Sequence, residues 1–165
     1  MAKDASFDIV SDYDAAEMAN AVDQTQRELG TRYDFKGTSA GIDFTEGKKG
    51  VLITGDSSVQ LGSVLDVFQS KLLKRGISLK VLDTTAEQIQ GGKEMRWTLA
   101  FQQGLDQDKA KKITKTLREE HPKVKTQIQG DAVRATSASR DELQAVMATL
   151  NAQEFDFPLS YENYR

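Results

Sequence analysis

The chain has 165 residues, of which 38% are hydrophobic and 28% are charged, and its formal net charge is −3. This composition excludes wholesale disorder, and the acidic balance excludes a uniformly basic nucleic-acid coat protein while leaving room for a local basic patch. The absence of cysteine excludes disulfides, thiol nucleophiles and cysteine zinc sites. Because the start lacks the apolar core of a signal peptide and no window approaches about 18 apolar residues, we expect a cytoplasmic protein.

Hydrophobic periodicity divides the first half of the chain into strands and two helices. Asp14 begins the first helix, since Glu17 lies three residues later as in a capping box, and Gly30 ends it. Gly76 ends the second helix in the same way. The predicted elements are, in order, strand 6–10, helix 14–29, strands 32–36, 42–45 and 50–54, helix 58–75 and strand 77–82.

The second half begins after a segment at 84–93 that has little periodicity and ends in a double glycine, as is typical of a linker. Gly130 and Asp131 predict a tight hairpin turn, and Ser139 with Glu142 predicts a second capping box. The predicted elements are strand 95–101, helix 106–121, strands 123–129 and 132–137, helix 140–152 and strand 158–164.

The second half repeats the first in register. At an offset of 82 positions Val51 aligns with Val133, and further upstream, at an offset of 92, Phe7 aligns with Leu99. The first copy therefore carries about ten extra residues, "TSAGIDFTEG" at 38–47, in a hairpin after its first helix.

Each copy reads strand–helix–strand–strand–helix–strand. The compact solution is a four-stranded antiparallel sheet with both helices on one face, the ferredoxin-like split βαβ of the α+β class. We predict two such units in tandem, residues 1–88 with the extended second-strand hairpin and residues 89–165. The sequence leaves open whether strand 6–10 pairs within its own unit or crosses to the other.

Such a fold leaves one face of each sheet uncovered, and RNA-recognition domains bind bases on that face. In the second unit the rings fall on the helix side, so the uncovered face is polar and basic. It is either an ordinary solvated face or a surface that attracts phosphates with little sequence specificity. The residues predicted on it are Arg96, Thr98, Lys123, Lys125, Gln127, Arg134 and Thr136.

The predicted helix 106–121 carries a second set of cations. Lys111, Lys115 and Arg118 occupy the face away from Ile113 and its apolar neighbours. A lysine-rich face is also what an ordinary solvated helix presents, so both interpretations stay open.

The stretch "TRYDFKG" (31–37) alternates aromatic and charged side chains along a predicted strand. Its rings, Tyr33 and Phe35, either stack on bases or lie in the core. The repeat favours the core, because at an offset of 91 the rings align with Val124 and Thr126. The remaining candidates for phosphate binding on this strand are Arg32 and Lys36.

Signals for catalysis are poor. His121 is the only histidine and precedes Pro122 at a helix end, and the carboxylates form no paired arrangement. One histidine without cysteine argues against a zinc site, and "QGGKE" (90–94) lacks the spacing of a phosphate-binding P-loop. We therefore predict no enzyme activity, no catalytic residue, no metal and no cofactor.

Several specific motifs recur in one order over nearly the whole chain, namely "SFDIVS", "TRYDFKG", "KLLKRGI", "AKKI", "QIQGD", "SRDELQAVM" and "PLSYENYR". In these the chain resembles the YajQ family of bacterial proteins. The resemblance implies tandem RNA-recognition-like domains that bind nucleotides without known enzymatic activity, with nucleic acid and cyclic di-GMP among the proposed ligands. Ser137 and Ala138 stand where members often have glycine and lysine, so one possible phosphate-contacting cation is missing.

The preferred hypothesis is a non-catalytic protein that binds RNA, tRNA, cyclic di-GMP, ATP or GTP. The alternative is a regulatory adaptor for another protein, using the acidic first unit and the extra segment 38–47, with 84–93 as a hinge; an enzyme is the third hypothesis, and no membrane partner is expected. The predicted nucleotide-binding residues are Arg32, Lys36, Lys111, Lys115, Arg118, Lys123, Lys125, Gln127 and Arg134.

Overall fold

The structure is a computed structural model that describes residues 4–153 and 155–165. The strands are β1 (Ala5–Val10), β2 (Gly41–Phe44), β3 (Gly50–Gly55), β4 (Leu82–Asp83), β5 (Ile89–Gly91), β6 (Glu94–Phe101), β7 (Lys125–Gln129), β8 (Ala132–Ser137) and β9 (Ser160–Glu162). The helices are α1 (Ala15–Thr31), α2 (Ser58–Lys74), α3 (Gln107–Glu120) and α4 (Arg140–Ala152). These elements confirm the predicted α+β class with two ferredoxin-like units.

The helices begin where the capping residues predict. The Asp14 carboxylate accepts hydrogen bonds from the backbone N–H groups of Ala16 and Glu17 at 2.9 and 3.1 Å. The Ser139 hydroxyl accepts one from the Glu142 N–H at 3.3 Å. Because the first N–H groups of a helix have no partner within it, these side chains satisfy donors that would otherwise stay open.

Sheet A consists of β7, β8, β1 and β9 in that order, all antiparallel. Helices α3 and α4 pack on one of its faces. Phe7 and Ile9 on the central strand β1 are fully buried in this core, together with Leu117 of α3 and Val146 of α4. Gly130 has a φ of 60° in the β7–β8 turn, as the predicted hairpin requires.

Sheet B has the order β2, β3, β6 and β4, and β5 also pairs with β6. Helices α1 and α2 cover one face. Val51 and Ile53 of β3 are fully buried beside Leu99 of β6. Met95 and Trp97, which precede Leu99 on the same side of β6, are half-buried against the same cluster, so the predicted core side of this strand is correct.

The first strands of the two repeats are exchanged. Strand β1 pairs with β8 and β9, whereas β6 pairs with β3 and β4. The compact units are consequently the residues up to Asp12 with Gln103–Arg165, and Tyr13–Gln102. This corrects the division expected at residues 88 and 89, and it answers the open question about strand 6–10. The exchange preserves both cores, because β1 and β6 each present alternating apolar side chains to two helices.

Three further local predictions are wrong. The strand expected at 77–82 is largely a 3-10 turn at Leu79–Val81, and only Leu82 of that range belongs to the short strand β4. Residues Tyr33–Phe35 form a single 3-10 turn rather than a strand, with Phe35 5% exposed and Tyr33 93% exposed. The segment 84–93 is not a linker between the compact units, because it lies within Tyr13–Gln102 and its Ile89–Gly91 pairs with β6. A hydrogen bond from Trp97 Nε1 to the Ala86 carbonyl at 2.8 Å holds the preceding loop to the same strand.

Candidate functional site

The predicted binding residues fall in both compact units. Seven of them belong to the unit of sheet A, and Arg32 and Lys36 belong to the unit of sheet B. Arg96 and Thr98, which the analysis of the sequence placed beside Lys125 on one face, lie on β6 in sheet B instead. The polar face expected from one repeat is thus divided between two sheets.

The uncovered face of sheet A is built by the alternation of side chains along its strands. On β8, Val133 and Ala135 are buried against the helices, so Arg134 and Thr136 point to the other face. On β7, Lys125 and Gln127 are exposed and share this face, since the register pairs them with Thr136 and Arg134. The pairing register therefore brings side chains of four strands together on one surface.

Two rows of side chains cross this face from strand to strand. In the first, Lys125 pairs with Thr136, Thr136 with Ser6, and the Ser6 backbone exchanges hydrogen bonds of 3.2 and 2.9 Å with Arg165. We call this the hydroxyl row, composed of Lys125, Thr136, Ser6 and Arg165. The second, the carboxylate row, is composed of Gln127, Arg134, Asp8 and Glu162.

Asp8 is the centre of the carboxylate row. It is only 7% exposed on the central strand and accepts a hydrogen bond from Arg134 Nε at 2.9 Å and one from Asn163 Nδ2 at 2.9 Å. The Arg134 hydrogen bond holds the pKa of the Asp8 carboxyl below its usual range against the opposing effect of burial, with help from Asn163 and the nearby Arg165 charge. Arg134 is thereby fixed in place, with its Nη1 unpartnered within the described residues.

Asn163 also changes the path of the chain after β9. It has a φ of 55°, a left-handed conformation that is uncommon outside glycine. Asp8 still pairs with Glu162, but Ser6 pairs with Arg165, so one extra residue is accommodated on this side as in a β-bulge. The bulge turns Tyr164 toward the helix side, where its ring stacks on Phe7 at 6.1 Å.

Lys125 is the cation at the β7 end of the hydroxyl row. It is exposed and forms no ion pair within the part of the chain that the structure describes. Lys123 is likewise exposed just before β7. No aromatic side chain belongs to either row, so the rows offer cations, hydroxyls, an amide and the carboxylates of Asp8 and Glu162 but no stacking platform.

The cations of α3 lie on the other side of the same unit. Lys111, Lys115 and Arg118 are exposed, while Ile113 and Leu117 between them are fully buried toward sheet A. The helix separates these cations from the uncovered face of the sheet, so they form a second surface rather than part of the two rows.

Arg32 is held by its own neighbours. Its Nε and Nη2 donate to the two oxygens of Asp34 at 3.0 Å each, and its Nη1 lies 3.4 Å from Glu28. The Asp34 hydrogen bonds raise the pKa of the Arg32 guanidinium. Lys36 is exposed in the following loop. A ligand phosphate at Arg32 would compete with two carboxylates already in place.

The only histidine has a structural role in the unit of sheet A. His121 Nδ1 lies 3.2 Å from Glu142 and its Nε2 lies 2.6 Å from the Thr149 hydroxyl, which ties the end of α3 to α4. Among residues 4–153 and 155–165, no three His, Asp or Glu side chains are grouped closely enough to hold a metal ion. No α-helix in those ranges has the length and apolar character needed to cross a membrane.

Sequence reasoning missed five contributors to this surface, Ser6, Asp8, Glu162, Asn163 and Arg165. A signal for Asp8 was present, because a carboxylate between Phe7 and Ile9 in a short apolar strand needs a partner if the strand is central. Asn163 and Arg165 had no comparable signal, since their positions depend on the bulge.

Comparisons with known proteins agree over the full length of the chain. The family described as "Nucleotide-binding protein YajQ-like" matches residues 5–165. A nucleotide-binding protein of Streptomyces griseus is 48% identical over 163 residues, which cover 98% of this chain and 99% of that protein. A nucleotide-binding protein of Chloroflexus aggregans is 48% identical, with 97% of each chain covered. One of Trichodesmium erythraeum is 44% identical, with 100% of each chain covered.

Proposed function

Because the chain belongs to the YajQ-like family of nucleotide-binding proteins, we propose that it binds a nucleotide or single-stranded nucleic acid on the uncovered face of sheet A. The ligand is held through its phosphates and released unchanged. The observation that carries this proposal is the hydroxyl row, in which two cations stand at the ends and two hydroxyls between them.

The length of the hydroxyl row favours a ligand with more than one phosphate. Neighbouring strands lie about 4.8 Å apart, so the row from Lys125 to Arg165 spans about 14 Å over three strand spacings. Ser6 and Thr136 hydroxyls can donate to phosphate oxygens between the two cations. A cyclic dinucleotide such as cyclic di-GMP, or a short stretch of RNA laid across the strands, meets this description.

Arg134 adds a directed donor beside the row. Its salt bridge with Asp8 neutralises its charge in part but fixes the guanidinium, so that Nη1 remains available to a ligand. Because neither of the two rows includes a ring, this surface contacts phosphate and sugar more than base, and binding should weaken steeply as salt rises.

The test is a titration of a labelled RNA oligonucleotide and of cyclic di-GMP at two salt concentrations, with single variants of the full chain. Lys125→Gln and Arg165→Gln should each weaken binding and reduce the slope of log K against log salt by about one. Lys111→Gln on α3 makes the same change of charge on the other surface and serves as the matched control. Weakening by the control alone would move the site to α3.

The absence of turnover is tested in the same samples. The nucleotide should be recovered intact after prolonged incubation, because the only histidine is engaged by Glu142 and Thr149.

We also propose a cytoplasmic location, which the lack of cysteine supports. Nucleotide binding by Arg32 and Lys36 stays a prediction. The double variant Arg32→Gln with Lys36→Gln tests it in the same titration.

A further inference from the structure

A cavity of about 350 Å³ opens at the end of sheet A, between the start of β1, helix α4 and the residues that follow β9. This volume falls within the range of about 300–1,000 Å³ that is usual for small-molecule sites. None of the site residues predicted from the sequence lines it.

The cavity exists because β9 is short. Strand β9 pairs only with Asp8–Val10, so the edge of β1 at Ala5–Phe7 is covered solely by the residues after the bulge. There Tyr164 stacks on Phe7, with the ring planes 25° apart, and remains 63% exposed. One wall of the cavity is therefore formed by the exposed Tyr164 ring, with the buried Phe7 ring behind it.

The remaining walls combine apolar surface with positive charge. Leu143 and Met147 of α4 also line the cavity, and Gln144 supplies an amide that can both donate and accept hydrogen bonds. Arg140 and Arg165 add two guanidinium groups, and no carboxylate side chain is among the described residues of the lining. Such a lining suits a flat, largely apolar ring that carries polar edges and a negatively charged substituent.

The cavity adjoins the end of the hydroxyl row, since Ser6 and Arg165 belong to both. The row lacks any ring on which a base could stack, whereas the cavity has Tyr164 at the point where the row ends. A nucleotide whose phosphate lies on Arg165 would have its base next to this cavity.

We propose that the cavity is a base-binding pocket for the nucleotide whose phosphates lie along the hydroxyl row, an inference that rests on the function proposed above. The base lies between Tyr164 and Met147, with the Gln144 amide at its edge, and Arg140 and Arg165 hold the adjacent phosphate. The sheet face supplies affinity for phosphate, and the cavity supplies preference for ligands that carry a base.

The first test blocks the pocket without touching the core. Gln144 is exposed on α4, so Gln144→Trp places a large ring at the mouth, and Ala145→Trp at the next exposed position, outside the lining, is the matched control. Gln144→Trp should weaken binding of guanosine and adenosine monophosphates about tenfold, as expected for loss of one stacked base, and leave binding of base-free tripolyphosphate unchanged. Ala145→Trp should change neither.

The second test observes the pocket directly. The chain has four methionines, and Met147 lines the cavity while Met18 is buried in the other core cluster. In the full chain labelled at its methionine methyl groups, nucleoside monophosphate should shift the Met147 signal, assigned with Met147→Leu, and leave that of Met18 in place. Tripolyphosphate should shift neither.

The outcomes separate the two proposals. If the RNA oligonucleotide and cyclic di-GMP bind and Lys125→Gln weakens their binding, but Gln144→Trp leaves the affinity for nucleoside monophosphates unchanged and the Met147 signal does not shift, the pocket is refuted while the sheet-face function stands. If nucleoside monophosphate shifts Met147 but Lys125→Gln has no effect on the affinity for the RNA oligonucleotide or for cyclic di-GMP, the sheet face is refuted and the pocket stands alone. If no nucleotide or RNA binds at low salt, both are refuted.

Discussion

The exchange of β1 and β6 between the sheets makes two fragments of nearly equal length behave differently. A fragment of residues 13–102 contains every strand of sheet B with both of its helices. A fragment of residues 1–88 lacks β5 and β6, and its β1 belongs to sheet A. We expect the fragment 13–102 to unfold cooperatively and the fragment 1–88 to be unfolded.

The magnitude follows from what β6 contributes to sheet B. Leu99 is fully buried, and Met95, Trp97 and Phe101 are partly buried against the same core. At about 2 kcal/mol for the buried leucine and about 1 kcal/mol for each of the others, β6 contributes about 5 kcal/mol before its backbone hydrogen bonds are counted. Since whole domains are stable by only about 5–15 kcal/mol, a unit without this strand has little or no stability left.

The assay is thermal and urea unfolding of both fragments, followed by far-ultraviolet circular dichroism. Leu99→Ala within the fragment 13–102 serves as the graded control and should lower its free energy of unfolding by about 2–5 kcal/mol while leaving the transition cooperative. A cooperative transition in the fragment 1–88, with a midpoint near that of 13–102, would refute the reasoning, because sheet B could then form without its central strand.

Three smaller perturbations test other features by unfolding measurements. Asp8→Asn should lower the free energy of unfolding at pH 7. Pairing with Arg134 depresses the pKa of Asp8 in the folded state, so the stability that the ionised Asp8 contributes is lost as the pH falls below about 4. At such a pH the free energy of unfolding of the wild type should approach that of the variant. Phe35→Ala should cost about 3–5 kcal/mol, whereas Tyr33→Ala, at an exposed ring, should change the free energy of unfolding by less than about 0.5 kcal/mol. Asn163→Ala should destabilise more than Asn163→Gly, because both lose the hydrogen bond to Asp8 but only glycine adopts the left-handed conformation without strain; equal losses would contradict the role given to the backbone.

Local signals are sufficient for the helices and for most strands. Asp14 and Ser139 mark helix starts because their side chains bond the first N–H groups, an interaction that depends on neighbouring residues alone. The alternation on β8 likewise predicts which of its side chains are buried. Features of this kind need no knowledge of the partner strand.

The predictions from sequence fail where the local structure depends on contacts with distant parts of the chain. The spacing of Tyr33 and Phe35 fits a strand, but it also fits a single turn in which only Phe35 is buried. In the structure this turn forms, and Arg32 donates a hydrogen bond to Asp34 within it. The exchange of β1 and β6 could not be predicted, because two equally amphipathic strands fit either sheet. The candidate site depends on that exchange, since Asp8 and Ser6 reach the face of Arg134 only when β1 lies beside β8.

The exchanged first strand has a consequence for the order of events during synthesis. The first strand to be translated has its partners among the last, since Ser6 pairs with Thr136 and Arg165. The unit of Tyr13–Gln102 can fold once residue 102 has left the ribosome, but β1 waits for some sixty further residues, on the order of 3–12 s at about 5–20 residues per second. During that interval Phe7 and Ile9 have no sheet to join, so the apolar side of β1 stays uncovered on the nascent chain until β8 and β9 follow.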